Sequence, residues 1–299
     1  MIAQWRHRVF AQEILLDKCA GSLPKHEVMK AKYAAISLVI MFEFLAFLPD
    51  MQAGGYGGPP PDGCYPGFTT AEGCNALLSL TSGAGNTGLG WYSLFGDTDG
   101  SYNTGVGAGA LASNNANSNT AVGAAALLLN TTGTGNTATG TDALVYNDSG
   151  GGNTANGAFA LFSNAGGNHN SAFGNNALYY NHSAEDNTAA GYQALYYNDS
   201  TGGGNGAQNT AIGSSCLYYN YAAANNTAVG YQALYNNDFS RSGNGARNSA
   251  FGSEALSSND GGSRNTAFGS TALYHHTTGN YNNAVGTAAL YADHRGRIQ

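Results

Sequence analysis

The stretch Asn226-Thr227-Ala228-Val229-Gly230-Tyr231-Gln232-Ala233-Leu234 decides how this chain folds, because it recurs with variations from Thr69 onward. With its first position as anchor, thirteen copies begin at Thr69, Asn86, Asn103, Asn119, Asn136, Asn153, Asn170, Asn187, Asn209, Asn226, Asn248, Asn265 and Asn282. Nine intervals are seventeen residues long, one is sixteen and two are twenty-two, so the unit is a seventeen-residue module with two five-residue insertions. Four places after the anchor every copy has glycine, as at Gly191 and Gly230, and eight places after it every copy has leucine, as at Leu195 and Leu234. Asparagine fills the anchor in twelve copies, Asn187 and Asn226 among them, and recurs eleven places on in nine.

A seventeen-residue unit is too short for a pair of packed helices and its apolar positions lack helical spacing. Short strands fit. The anchor-to-glycine segment reads as one extended piece and Ala233 to Tyr235 as a second, with Asn, Gly, Ser and Thr supplying a wide corner. Stacked turn on turn, such units make an all-β parallel β-solenoid of about thirteen turns, with strands roughly 4.8 Å apart. Glycine after the first strand accepts a left-handed or crowded backbone, the leucine is the core residue, and the asparagines form hydrogen-bonded amide ladders from turn to turn. Gly191, Gly230, Leu195, Leu234, Asn187 and Asn226 therefore carry structural roles.

Alternation along the first strand leaves two arrangements open. The third position is alanine in eleven copies and glycine at Gly88 and Gly105; the fourth is apolar in ten, with Glu72, Thr139 and Asn156 as exceptions. Neighbouring strand residues face opposite ways. With Val229, Phe251 and Phe268 inside, nothing explains the constant small size of an outward alanine column. With alanine inside, a ladder of Val, Ile and Phe is exposed. Either stripe needs a cover, which points to a homo-oligomer of parallel solenoids.

Composition supports a thin, repetitive fold, with 44 glycines, 34 asparagines and 10% charged residues in 299. Collagen is excluded because glycine lacks a three-residue period and there are six prolines. All four lysines lie at or before Lys32, and from Gly54 onward five arginines face thirteen acids, which argues against a nucleic-acid partner. Lys25, Lys30 and Lys32 precede an apolar run from Tyr33 to Leu48, and Pro49 to Ala53 offers a cleavage neighbourhood. Residues 1–53 thus read as a targeting segment, an over-extended start followed by a signal peptide from Met29, and the mature chain as secreted or at the cell surface. A glycine- and proline-rich lead-in covers 54–68, the repeat domain 69–291 and a short tail 292–299.

The repeated Asn-Thr-Ala-Val-Gly-Tyr-Gln-Ala-Leu at 226–234, and its near copy at 187–195, resembles the head repeats of trimeric autotransporter adhesins and the related repeats of phage tail fibres. That resemblance, over Thr69 to Leu290, implies a left-handed β-roll, a homotrimer, and attachment to a surface, glycan or matrix ligand. Adhesins of this class continue into a coiled-coil stalk and a membrane barrel, whereas neither heptads nor barrel strands are found here, so anchoring and self-secretion are not carried over. Stand-alone fibre assembly, end to end, and a phage-fibre-like domain stay open, as does a monomeric ligand- or ice-binding solenoid.

The tyrosines Tyr179, Tyr196, Tyr218, Tyr235 and Tyr274 follow the leucine column. They read either as an adhesive face or as a cross-turn stack that stiffens the roll. The insertions Gly204-Asn205-Gly206-Ala207-Gln208 and Gly243-Asn244-Gly245-Ala246-Arg247 end just before an anchor and lie two turns apart on one corner. They are either ligand loops, with Asn205, Asn244, Arg241 and Arg247 as first contacts, or tolerated slips in a duplicating gene. The single threonine row after the anchor is flanked by apolar residues, which weakens ice binding. No metal or cofactor is expected: zinc spacing is missing and the glycine-rich corners lack the aspartates of calcium repeats. Asp142, Asp148, Glu185, Asp186, Asp199, Asp238 and Glu254 read as dispersed over different columns, so no catalytic cluster and no enzyme is expected. Cys64 and Cys74 could pair in an oxidising compartment.

Overall fold

The structure, a computed structural model, describes residues 67–291 apart from 201, 276 and 277. The targeting segment, nearly all of the lead-in, the tail, and the Cys64 half of the Cys64–Cys74 pair lie outside them. Thirteen three-residue strands, from Thr70–Glu72 to Asn283–Val285, form one parallel sheet in which each strand pairs with the next turn. The described residues contain no helix. The chain is thus an all-β parallel solenoid of thirteen turns. Its columns stay in register even across an insertion: Thr188, Ala189 and Ala190 pair with Thr210, Ala211 and Ile212, as those pair with Thr227, Ala228 and Val229.

The strand alternation resolves toward buried alanine. Ala189, Ala211, Ala228, Ala250 and Ala267 are fully buried, whereas Ile212, Phe251 and Phe268 face outward. The interior has room for one methyl group between the sheet and the opposite wall. At Gly105 even that methyl would come within 2.5 Å of the Ser93 hydroxyl, which occupies a position that is alanine in most copies and donates to the Gly105 carbonyl at 2.8 Å. At this turn the serine is matched by the loss of a methyl. Cys216, in the Ser93 column, is a buried small hydrophobe whose thiol burial pushes up to about 12.

The expected second strand is corrected. Ala233–Tyr235 is a turn, and the second sheet is confined to Tyr197–Asn198 paired with Tyr219–Asn220. The reason lies in the backbone: Gln232 has φ 52° and Leu234 φ 52°, and the same two columns are left-handed in every turn, as at Gln193 (φ 56°) and Leu195 (φ 51°). A left-handed residue at every second place curls the chain so that it cannot run extended. Its amides still reach the next turn, with Leu195 N–H donating to the Cys216 carbonyl at 2.9 Å. A left-handed leucine costs about 1–2 kcal/mol, while burying its side chain contributes about 1.5–3 kcal/mol. Burial wins, and leucine is kept where glycine would be unstrained but would leave the core empty.

Gly191 and Gly230 make the corner after the strand. Gly230 has φ 135°, and a Cβ there would stand 2.4 Å from the Gly252 carbonyl oxygen of the next turn. No side chain can be accommodated.

Two buried asparagine columns complete the interior. From Asn103 on, each anchor asparagine donates its backbone N–H to the side-chain oxygen of the anchor one turn before, as Asn187 does to Asn170 (3.0 Å), Asn209 to Asn187 (2.9 Å) and Asn226 to Asn209 (2.9 Å). The second column runs side chain to side chain, Asn147 to Asn130, Asn164 to Asn147 and Asn198 to Asn181 at 2.7–2.8 Å. Each of its amides also donates to a corner carbonyl, such as Gly167 from Asn164 at 2.9 Å. Carbonyls that would be orphaned at a buried corner are thereby satisfied.

Asp97 stands in that second column and is fully buried. It accepts from Gly100 N–H at 2.8 Å and from Asn103 at 3.1 Å. Burial raises its pKa above the ordinary carboxylate value, despite those hydrogen bonds.

Two stability predictions follow from these columns. Gln193→Gly and Gln232→Gly should each stabilise the fold by roughly 0.5–1 kcal/mol, because relief of a left-handed side chain exceeds the added chain entropy, whereas Leu195→Ala should cost about 2–5 kcal/mol. Denaturant melts check both, and a loss on either glycine substitution would refute the strain assignment. Asp97→Asn should raise stability at pH 7 by about 1 kcal/mol. A raised carboxylate pKa makes stability fall as pH rises between the ordinary and the raised value, so Asp97 contributes that slope in acid and Asp97→Asn should show a shallower one, with Asp142 and Asp238, also raised by burial, still contributing.

Candidate functional site

The tyrosine row is a stack of rings. Phe162, Tyr179, Tyr196, Tyr218 and Tyr235 follow one another at centroid distances of 4.8, 5.2, 5.1 and 5.2 Å, with interplanar angles of 15°, 19°, 4° and 14°. Tyr180, Tyr197 and Tyr219 form a second stack beside it at 5.1 and 5.4 Å, and Tyr180 and Tyr197 are buried. The row is not continuous to Tyr274. Ser257 interrupts it, and Tyr274 stacks on Tyr291 at 5.3 Å with His275 edge-on beside it at 4.6 Å. Ring faces are engaged by neighbouring turns, so the geometry favours the stiffening role over ligand contact.

Aromatic residues outside that row are more exposed. Tyr192 and Tyr231, next to the corner glycines, are about half exposed, and the fourth strand position presents Val122, Phe173, Ile212, Phe251, Phe268 and Val285 to solvent. Phe268 is 59% exposed and Phe251 lies 5.9 Å from it, ring to ring. Threonines such as Thr210 and Thr227 share this outer face of the sheet, half-buried. Sequence alternation could not single out this row, because either choice of inward face satisfied the pattern.

The third feature is the corner carrying the insertions, and both loops are built alike. Asp199 is buried and accepts from Gly204 N–H (2.9 Å) and, across to the previous turn, from Ser183 N–H (3.0 Å). Asp238 is buried and does the same with Gly243 N–H (2.9 Å) and Ala222 N–H (2.9 Å). Asn198 and Asn237 stay in their ladder and donate to the Gly206 and Gly245 carbonyls at 2.8 and 2.6 Å. The extra residues therefore loop outward from an undisturbed stack. Between the two loops, over the intervening turn, lies an open pocket of about 420 Å³ lined by residues that include Asn205, Ala222, Asn225, Arg241, Ser242 and Arg247. Three of the four residues expected as ligand contacts, Asn205, Arg241 and Arg247, line this one depression; Asn244 is exposed on the second loop and is not among its lining residues. Tyr221, which sequence reading passed over, is buried beneath Arg241, whose guanidinium lies 4.1 Å from the ring centroid. Its sequence signal was its place in the aspartate column, one turn after Asp199 and one before Asp238.

That column corrects the expected dispersal of the acids, since Asp148, Asp199, Asp238 and Asp260 share it. Asp199 and Asp238 hold loop backbone, and Asp260 accepts from Ser240 N–H at 2.7 Å. His169 pairs with Asp186 on the next turn at 3.6 Å. Among the described residues, no group of three or more His, Cys, Asp or Glu is placed to hold a metal ion. Comparison with known proteins yields no family model, no curated protein and no solved structure that matches the chain.

The stacked tyrosines make a pH prediction. Burial pushes Tyr196 up to about 12, and raises Tyr218, Tyr235 and Tyr221 as well. An unfolded tyrosine ionises near 10, so the stability these groups contribute is complete below that pH and is lost as pH rises toward 12. Phenolate absorbance should lag in the folded protein, and the melting temperature should drop steeply over the same range.

Proposed function

We propose that the chain is an extracellular structural or adhesive fibre segment whose copies associate along the outer face of the sheet, as a homotrimer, and that it is not an enzyme. The observation that carries this reading is the exposed apolar row on the outer face of a thirteen-stranded sheet. Contiguous exposed apolar surface marks a binding face. A partner that covers such a row along its length must repeat with the same spacing, and another copy of this chain has that spacing by construction. The row carries few charges, Glu72 in the first turn being its acid, so close approach leaves little charge to desolvate. The number three and the adhesive role are supported by the resemblance of the Asn-Thr-Ala-Val-Gly-Tyr-Gln-Ala-Leu units to adhesin head repeats. The exported location is supported by the basic and apolar segment before Gly54.

Light scattering on the full chain checks this. The expected mass is three chains, falling to one chain with unchanged circular dichroism in Ile212→Asp combined with Phe268→Asp. A wild-type monomer would instead favour a solitary ligand-binding solenoid, and a trimer that survives both substitutions would place the interface elsewhere.

A further inference from the structure

Between Lys32 and Arg295 the sequence contains three cationic Lys or Arg residues, Arg241, Arg247 and Arg264, and all three fall within two adjacent turns on the insertion corner. In a chain of net charge −7 this is a marked segregation of positive charge. None of the three forms an ion pair with a described carboxylate. The nearby acids are occupied within the loops: Asp238 accepts from Gly243 N–H, Ala222 N–H and the Ser242 hydroxyl, and Asp260 from Ser240 N–H.

The two insertions act as an internal comparison. Counted from Asp199 and Asp238, they match place for place, and the second loop carries Arg241 and Arg247 where the first carries Gly202 and Gln208. Gly202 has φ 75°, and Arg241 has φ 61° at the equivalent place. An arginine therefore sits in a left-handed backbone position that glycine fills without strain in the sister loop. Its guanidinium carbon lies over the buried Tyr221 ring, 4.1 Å from the centroid, a cation–π contact that holds the charge at the pocket it lines. Arg247 is placed by its own backbone, with N–H donating to the Ala224 carbonyl at 3.1 Å. The remaining lining is uncharged: Asn205, Asn225 and Ser242 contribute polar side chains, and Ala222, Ala224, Gly243 and Ala246 small ones.

We propose that the pocket between the two insertion loops binds the anionic group of a carbohydrate, a sulfated or carboxylated sugar, through Arg241 and Arg247. The two guanidiniums meet the anion, where planar forks match sulfate and carboxylate oxygens. The Asn205 and Asn225 amides face the sugar hydroxyls, and a depression open at the rim admits one unit of a longer chain. The site is complete within one chain and does not depend on the trimeric reading.

The test is calorimetric titration of the full chain with heparin, which is sulfated, polygalacturonate, which is carboxylated, and dextran, which is neutral. Binding of one or both polyanions but not dextran is expected, and which of them binds identifies the anionic group. The double variant Arg241→Gly, Arg247→Gln gives the second loop the side chains of the first. It should lose at least tenfold in affinity while its melting temperature stays the same or rises and its mass in solution is unchanged. Arg264 stacks on Tyr281 at 5.1 Å and does not line the pocket, so Arg264→Gln should retain most of the affinity. Absence of polyanion binding, dextran binding equal to the others, full affinity in the double variant, or an equal loss in Arg264→Gln would each overturn the proposal.

Discussion

From its second turn on, this solenoid depends on buried carboxamides that bond to neighbouring turns. An unpaired buried amide or carbonyl costs free energy comparable to the hydrogen bond it lacks, and a seventeen-residue coil has wide corners full of such groups. The anchor column and the second column answer this together. Asn209, for instance, donates its backbone N–H to Asn187 and its side-chain amide to the Ala223 carbonyl of the next corner. Because donor and acceptor sit in the same residue type, the pattern can repeat indefinitely without a change of partner. Asp97 shows the rule by exception: a carboxylate accepts but cannot pass a proton on, and burial holds its pKa high in consequence.

With the corners satisfied, the apolar core can be very thin. One methyl from the strand, and a small residue and a leucine from the facing segment, fill it, and the left-handed backbone at Leu195 and its equivalents is tolerated because the fully buried side chain outweighs the strain. The same thinness sends the larger side chains outward. Val, Ile and Phe at the fourth strand position have no space inside, and the tyrosines after the leucine stack on one another along the outside of the coil. Core geometry thus accounts both for the stiff aromatic rows and for the apolar sheet face.

The coil length, the glycine corner and the role of asparagine could be read from the sequence because each forms a column that repeats with the turn. Gly230, Leu234 and Asn226 declare themselves by recurrence. Side-chain orientation was harder. The choice between Ala228 and Val229 as the inward residue turns on whether the cavity holds one methyl or several, and that depends on a facing wall whose path was unknown. The left-handed backbone at Leu234 left no trace in composition, since leucine ordinarily avoids it, and so the second segment read as a strand. At the corner, Arg241, Arg247 and Asn205 were visible as loop residues. That they line one depression required knowing that an intervening turn lies between the two twenty-two-residue turns that carry the insertions.

The corner at Asn198 and Asn237 has a consequence for how such a protein can diversify. In an ordinary turn the ladder amide reaches a carbonyl three residues on, as Asn164 does with Gly167; at the insertions it reaches one eight residues on, Gly206 or Gly245. The contact is the same and the detour between its ends is free to vary. Lineages of this architecture can therefore trial new loop sequences at that junction, one coil at a time, without disturbing the rod that carries them.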